Sequence, residues 1–244
     1  MHEPRIYTPQ PLKIGSLITL EPKAAQHLFM VLRLKVDASV RIFNGEAEEY
    51  QGKIVHADRA QVSIQLTSVA KCEPAAVLQL HLILGISKGE RMDVALQKAT
   101  ELGVTRIAPL LAQRSVVQLK GVRLERRNLH WQQIIVAACE QSGRCRLPQL
   151  DWPQNLQTCL DATLSEQKLL LHPLGAATLN TVPPPQREVA LLVGPEGGLE
   201  ENELQQALNA GFTSLRLGPR ILRTETAPLA ALAAIQALWG DFLL

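Results

Sequence analysis

Two glycine-proline loops, each set directly after a short apolar run, limit what this chain can fold into more than any other feature. Residues 189–193 are wholly apolar, which suits a strand buried on both faces. The run stops at Gly194-Pro195-Glu196-Gly197-Gly198, a tight backbone loop. Glu200-Glu201-Asn202-Glu203 then open a helix with acid in its first turn, and Gly211 closes it. A second apolar run, 214–217, leads into the loop 218–220 and on to Ile221-Leu222-Arg223-Thr224-Glu225-Thr226. Thr226 is expected to cap a last helix carrying Pro228 in its first turn. Through Trp239 that helix is apolar nearly all round, which predicts burial on more than one side. Glycine loops at the C-terminal ends of parallel strands are where an open α/β sheet binds its ligand.

Charge narrows the ligand. A glycine loop ahead of a helix suits phosphate. Here Glu196, Glu200, Glu201 and Glu203 would crowd an anion with like charge, and neither the P-loop nor the dinucleotide-binding glycine pattern is present. A ligand that is neutral or cationic at this point fits better, and a nucleoside carrying a sulfonium fits well.

The first seventy residues read as β-rich, with period-2 runs at 17–20, 39–43 and 62–66. Asn44-Gly45 signals a hairpin turn into the run 49–55. One helix, 22–34, interrupts them, with Ala25, Leu28, Phe29 and Leu32 as its apolar stripe. The polar, proline-containing stretch 71–76 is the expected joint. Beyond it strands and helices alternate: strand 77–85, helix 90–102 closed by Gly103, strand 106–111, helix 124–141, strand 168–172. Trp131, Ile134, Ile135 and Ala138 form the buried stripe of the long helix. This alternation predicts a parallel sheet with helices on both faces.

A chain of 244 residues holds one large or two modest domains. No apolar run reaches the ~20 residues a membrane span needs, and the N-terminal MHEPRIYTP has no signal-peptide pattern. The four cysteines, at 72, 139, 145 and 159, show no CxxC pair and no histidine at zinc spacing. They read as reduced thiols of a cytoplasmic protein without a metal site. The net charge of +2 hides an asymmetry, since residues 85–150 carry eleven Lys/Arg against five Asp/Glu. A basic face of this kind suits an anionic polymer.

GPEGGL followed by LGPRILRTETA resembles the C-terminal signature of the SPOUT methyltransferases. Within them it is similar to the family that methylates N3 of a uridine in 16S rRNA, by resemblance uridine 1498. The match runs on through Pro4-Arg5-Ile6-Tyr7, His27, Val31-Leu32-Arg33, Lys88-Gly89-Glu90-Arg91-Met92, Gln97 to Gly103 and Ala137 to Arg144. The resemblance implies a small PUA-like β-barrel over 1–72 that binds RNA. It implies a SPOUT domain over 73–244, an α/β fold with a parallel sheet and a deep trefoil knot, whose loops 194–199 and 218–224 wrap S-adenosylmethionine. The implied cofactor contacts are Leu171, His172, Val193, Gly194, Glu196, Gly197, Gly198, Leu217, Gly218, Ile221, Leu222, Arg223, Thr224 and Ala227. Arg5, His27 and Arg33 are the implied RNA contacts of the barrel; Lys88, Arg91, Arg114 and Arg144 are candidates in the basic span. The resemblance also implies 16S rRNA within the small ribosomal subunit as the partner, and a homodimer, for which the apolar last helix gives a physical motive.

Uracil N3 carries a proton at neutral pH, so its methylation calls for a base, or for cations that stabilise the developing anion. Arg223, at the lip of the second loop, and Glu225 two residues later form a candidate cation and base; Glu196 is the competing base. Arg144 either holds a substrate phosphate or meets a partner subunit. N3 also lies on the pairing edge, so the target must be unpaired or flipped. Two alternatives stand beside this: methylation of another base or a ribose 2′-hydroxyl, and a non-catalytic RNA-binding accessory protein.

Overall fold

The structure, a computed structural model, describes residues 3–32, 34–115 and 120–243. It divides into two compact units, residues 1–75 with 139–147, and residues 76–138 with 148–244. The first unit therefore ends three residues beyond the expected 1–72 and takes back a segment expected in the second.

Five strands build the first unit: β1 (Arg5–Tyr7), β2 (Leu17–Thr19), β3 (Ser39–Phe43), β4 (Glu48–Ala57) and β5 (Val62–Cys72). They form one sheet in the order β1-β3-β4-β5-β2. Only β1 with β3 is parallel; the remaining pairs are antiparallel. Alternate apolar residues from these strands, among them Ile6, Val40, Ile42, Ile54 and Ile64, make the core with Ala25 and Leu28. The expected helix 22–34 is shorter than its pattern: α1 (Pro22–Gln26) gives way to a π turn at His27–Val31. Leu34 N–H reaches back to the Leu28 carbonyl at 3.1 Å, so the widened turn leaves Leu32 exposed rather than packed.

Segment 139–147 joins this unit because charged side chains bind its backbone. The Arg5 guanidinium donates to the carbonyls of Cys139 (2.6 Å), Glu140 (2.9 Å) and Arg144 (3.0 Å) and pairs with buried Glu49. It also lies 4.8 Å from the centre of the Phe43 ring. The Glu73 carboxylate accepts the N–H groups of Cys145 and Arg146. These partners are far apart in sequence, and no local pattern announces them.

The second unit is a three-layer α/β fold. Strands β6 (Gln79–Gly85), β7 (Arg106–Leu110), β8 (Gln149–Leu150), β9 (Gln167–Leu171), β10 (Glu188–Val193) and β11 (Thr213–Leu215) form one sheet in the order β11-β9-β10-β6-β7-β8. All its pairs are parallel, as expected. Helices α2 (Glu90–Glu101), α3 (Val122–Ser142) and α6 (Thr226–Trp239) cover one face; α4 (Leu156–Asp161) and α5 (Glu201–Asn209) cover the other. Leu80, Leu82 and Leu84 of β6 point to the first layer, while Ile83 points to the second, the period-2 alternation of a strand buried on both sides.

Helix α6 starts at its expected cap residue, one residue early. Thr226 is its first residue and Glu225 its cap position, and the Arg223 carbonyl accepts the N–H groups of Thr226 and Ala227, each at 2.9 Å. Burial of α6 within the chain is one-sided: Pro228, Ala231, Leu232, Ile235 and Gln236 pack inward, while Ala230, Ala237 and Leu238 are exposed. Among the described residues, no helix is long and apolar enough to cross a membrane.

Arg5→Ala strips Glu49 of one of its two arginine partners and removes a donor from the carbonyls of Cys139, Glu140 and Arg144. The expected loss is about 3 kcal/mol of stability, since breaking a buried ion pair leaves an uncompensated charge. Urea denaturation measures it; a loss below about 0.5 kcal/mol would show that the network contributes nothing.

Candidate functional site

A cavity of about 380 Å³ opens at the C-terminal ends of β9, β10 and β11. Three loops line it: Leu170 to Pro173, Val193 to Leu199, and Leu215 onward through Gly218, Arg220, Ile221, Leu222, Thr224 and Ala227, with Arg114 beside them. Every cofactor residue expected from the sequence lines this cavity except Arg223, which is exposed. Pro173, Pro195, Leu199, Arg216 and Arg220 line it without having been expected.

Glycine lets the loops close on one another. Gly198 N–H donates to the Pro195 carbonyl at 2.8 Å, and Gly198 leaves that turn with a positive φ of 70°, which glycine adopts readily. A Cβ on Gly194 would lie 3.1 Å from the backbone of Gly198 and Leu199. Two further glycines had no assigned role. A Cβ on Gly85, the last residue of β6, would overlap the backbone of Gly194 and Pro195, and one on Gly175 would lie 2.6 Å from the Leu215 carbonyl carbon. Their signal in the sequence was only a glycine just after an apolar run. On the third wall His172 N–H donates to the Leu215 carbonyl at 3.0 Å, and its Nδ1 accepts from Leu174 N–H at 3.3 Å.

Carboxylates fix the first loop to its neighbours. Glu196 Oε1 accepts Lys88 N–H at 2.9 Å and faces Arg91 Nη1 at 3.4 Å; its Oε2 is buried with no partner. Glu203, 6% exposed, reaches back to Glu200 N–H and accepts Gln113 N–H, both at 2.9 Å. Arg114 Nη1 donates to the Gly197 carbonyl at 3.4 Å. The proposed tethering partners Gln113 and Glu203 were not foreseen, since the acids of 200–203 read simply as a helix start.

The candidate catalytic residues do not meet as a pair. Glu196 lines the cavity, Glu225 is half-buried with its Oε2 buried and unpartnered, and Arg223 contributes its carbonyl to the first turn of α6 while its side chain stands in solvent. Lys88, Arg91 and Arg114 are exposed around the first loop. Arg5, expected as an RNA contact, directs its guanidinium to Glu49 and three carbonyls of the first unit. Arg144 belongs to the first unit, where its carbonyl is one of those acceptors. Arg33 and the side chain of His27 lie outside the described residues.

Other reactive groups sit elsewhere. Burial pushes the thiols of Cys139 and Cys159 up to about 11, which keeps them protonated and poorly nucleophilic. Burial, with Arg106 nearby, lowers the His81 ring to about 4, and this residue lies toward the opposite end of the sheet. Among the described residues, no group of three or more His, Cys, Asp or Glu could hold a metal ion.

Comparison with known proteins agrees with this geometry. An RNA methyltransferase domain family matches residues 73–236, and an RNA methyltransferase PUA domain family matches residues 20–67. The ribosomal RNA small subunit methyltransferase E of Buchnera aphidicola subsp. Acyrthosiphon pisum is 32% identical over 98% of this chain and 95% of its own. Among solved structures, a Legionella pneumophila methyltransferase in complex with SAM has 38% identity and a TM-score of 0.95, covering 99% of this chain and 100% of that one. The small subunit methyltransferase E of Neisseria gonorrhoeae, bound to S-adenosyl methionine, has 39% identity and a TM-score of 0.91 over the same shares. The resemblance drawn from the motifs is thereby borne out.

The cavity walls predict how substitution acts. Gly218 has a φ of 71° and open space around a would-be Cβ, so Gly218→Val adds backbone strain of about 1–2 kcal/mol without a clash. That distorts the second loop and spares the core. Titration with the cofactor expected from the sequence should show at least a tenfold loss of affinity with the thermal transition within a few degrees of wild type. Near-native affinity would put the ligand elsewhere.

Proposed function

The chain belongs to the RNA methyltransferase family, and from that premise we propose that it methylates N3 of a uridine in small-subunit rRNA with S-adenosylmethionine, in the cytoplasm. The observation that carries the reading is the cavity itself: three loops at the ends of parallel strands, walled mainly by main chain and apolar side chains, with Glu196 on its first loop and Arg114, Arg216 and Arg220 also in its lining. Such a main-chain and apolar wall fits a nucleoside, and the Glu196 carboxylate fits a positive sulfonium nearby. The loops 194–199 and 218–224 are read as the cofactor loops of a deep trefoil knot, and the close approach of Gly85 to Gly194 and of Gly175 to Leu215 packs their backbones together.

Leu171, Val193, Leu217 and Leu222 would hold the adenosyl group, and Glu196 would face a donor of the cofactor. Bound there, S-adenosylmethionine supplies an electrophilic methyl group. The protein's part is to orient the uracil edge in line and to remove the N3 proton. Glu225, between the cavity residues Thr224 and Ala227, would take that proton, its Oε2 having no partner within the chain. Arg223 is free to turn toward negative charge spreading onto the uracil carbonyl oxygens. Lys88, Arg91 and Arg114 ring the first loop as phosphate contacts. The uncovered residues of α6 support the homodimer, and Leu238→Glu should convert the species seen in sedimentation to a 26.8 kDa monomer. A monomeric wild type would remove the dimer from the reading.

Single-turnover methylation at saturating cofactor and RNA tests the roles. Arg223→Ala should lower the rate on the order of a hundred- to a thousandfold with both affinities nearly intact. Glu225→Gln should slow the same step and flatten its pH dependence on the acid side, where a carboxylate base titrates. A large defect in Glu196→Gln beside a near-normal Glu225→Gln would move the base to the first loop. Mass mapping of the product RNA decides the target, and methyl on a ribose or another base would overturn the N3 assignment.

A further inference from the structure

Glu196 stands between two kinds of ligand. Lys88 N–H fixes its Oε1 at 2.9 Å, and Arg91 Nη1 faces that same oxygen at 3.4 Å from a side chain half exposed to solvent. With one oxygen held by a backbone donor, the carboxylate cannot swing freely, so the direction of its Oε2 is set as well. That second oxygen is buried and unpartnered in a residue that lines the cavity, and an unsatisfied buried acceptor of this kind costs free energy until a donor arrives. Arg114 repeats the arrangement on the neighbouring residue, where its Nη1 touches the Gly197 carbonyl at 3.4 Å. A guanidinium has five N–H donors. Each arginine therefore touches the loop weakly and keeps donors to offer outward.

We propose that Glu196 is a positioning residue that couples RNA binding to cofactor binding. The inference rests on the methyltransferase reading above and deepens it. RNA phosphates engaged by Arg91 and Arg114 order these two side chains, which in turn hold the Glu196–Gly197 segment in place. The Oε2 atom, held at a fixed angle, then accepts a hydrogen bond from the cofactor. Each ligand stabilises the arrangement the other needs, so the coupling is positive and reciprocal. Its size is bounded by the contacts that transmit it: a solvent-exposed ion pair of this length changes an equilibrium constant by about two- to fivefold.

Isothermal titration with S-adenosylhomocysteine, which binds without turnover, measures the coupling. The titration is made alone and with saturating small ribosomal subunits assembled from unmodified rRNA. In wild type the subunits should tighten the nucleoside by about two- to fivefold. Glu196→Gln keeps an oxygen for Lys88 N–H, so the protein folds normally, yet the ratio should fall to one. Arg91→Ala should also abolish it, and the double variant should lose nothing more, the non-additivity of residues acting as one unit. Rescue is informative too: Glu196→Asp, too short to span both partners, should behave like Glu196→Gln. A ratio of one in wild type, or a ratio that survives Glu196→Gln, overturns the coupling while leaving the methyltransferase reading intact. Failure of wild type to bind S-adenosylhomocysteine at all would overturn both.

Discussion

The cavity depends on backbone meeting backbone with no side chain between. Where β6 ends, Gly85 lies so close to Gly194 and Pro195 that a single methyl group would overlap the main chain of the first loop. Gly175 stands in the same relation to Leu215 and Arg216 on the opposite side. Interiors are close-packed and do not deform continuously, so a Cβ at either place must push two strands apart. The loops therefore take their shape from the sheet beneath them. This suits a ligand recognised through main-chain groups, because those groups are placed as accurately as the strands that carry them.

The first loop would still be free to swing about its glycines without lateral ties, and charged side chains supply them. Glu203 holds Gln113 N–H, Glu196 holds Lys88 N–H, and Arg114 touches the Gly197 carbonyl. Hydrogen bonds with a charged partner contribute about 1.5–3 kcal/mol, more than neutral ones. The acid-rich stretch after Gly194 thus does two jobs. Glu200 and Glu201 face solvent at the start of α5, where the macrodipole favours them, while Glu196 and Glu203 tie the loop to segments nearly a hundred residues away. Glu196 and Glu203 thereby hold the loop in one place.

Periodicity showed where the sheet would be, because a strand buried on both faces must be apolar throughout and a covering helix must show one apolar stripe. β6, β10, α2 and α3 follow that rule and were legible. Three-residue β1, two-residue β8 and six-residue α4 are too short to show any period, and all three were missed. The π turn after α1 escaped for another reason. Its apolar residues keep helical spacing, and only the backbone of His27–Val31 itself reveals the wider ring. At the cavity the glycines and apolar residues of the two loops were legible as motifs. The tethers were not, since a carboxylate that binds a distant N–H looks the same in sequence as one that faces water.

Arginine shows most plainly what local pattern cannot decide. Arg5 and Arg91 both sit in motifs that match an RNA-binding family, and both were expected to touch RNA. Arg91 is half exposed, with a single long contact to Glu196, and its donors remain available. Arg5 is enclosed against the Phe43 ring, where its planar fork meets Glu49 and carbonyls at the C-terminal end of α3. A helix C-terminus carries partial negative charge and unpaired carbonyls, so a cation with several fixed donors satisfies both needs at once. Lysine could neutralise the charge but could not serve several acceptors in fixed directions. What separates the two arginines is therefore the set of acceptors each one faces, which the local sequence does not show.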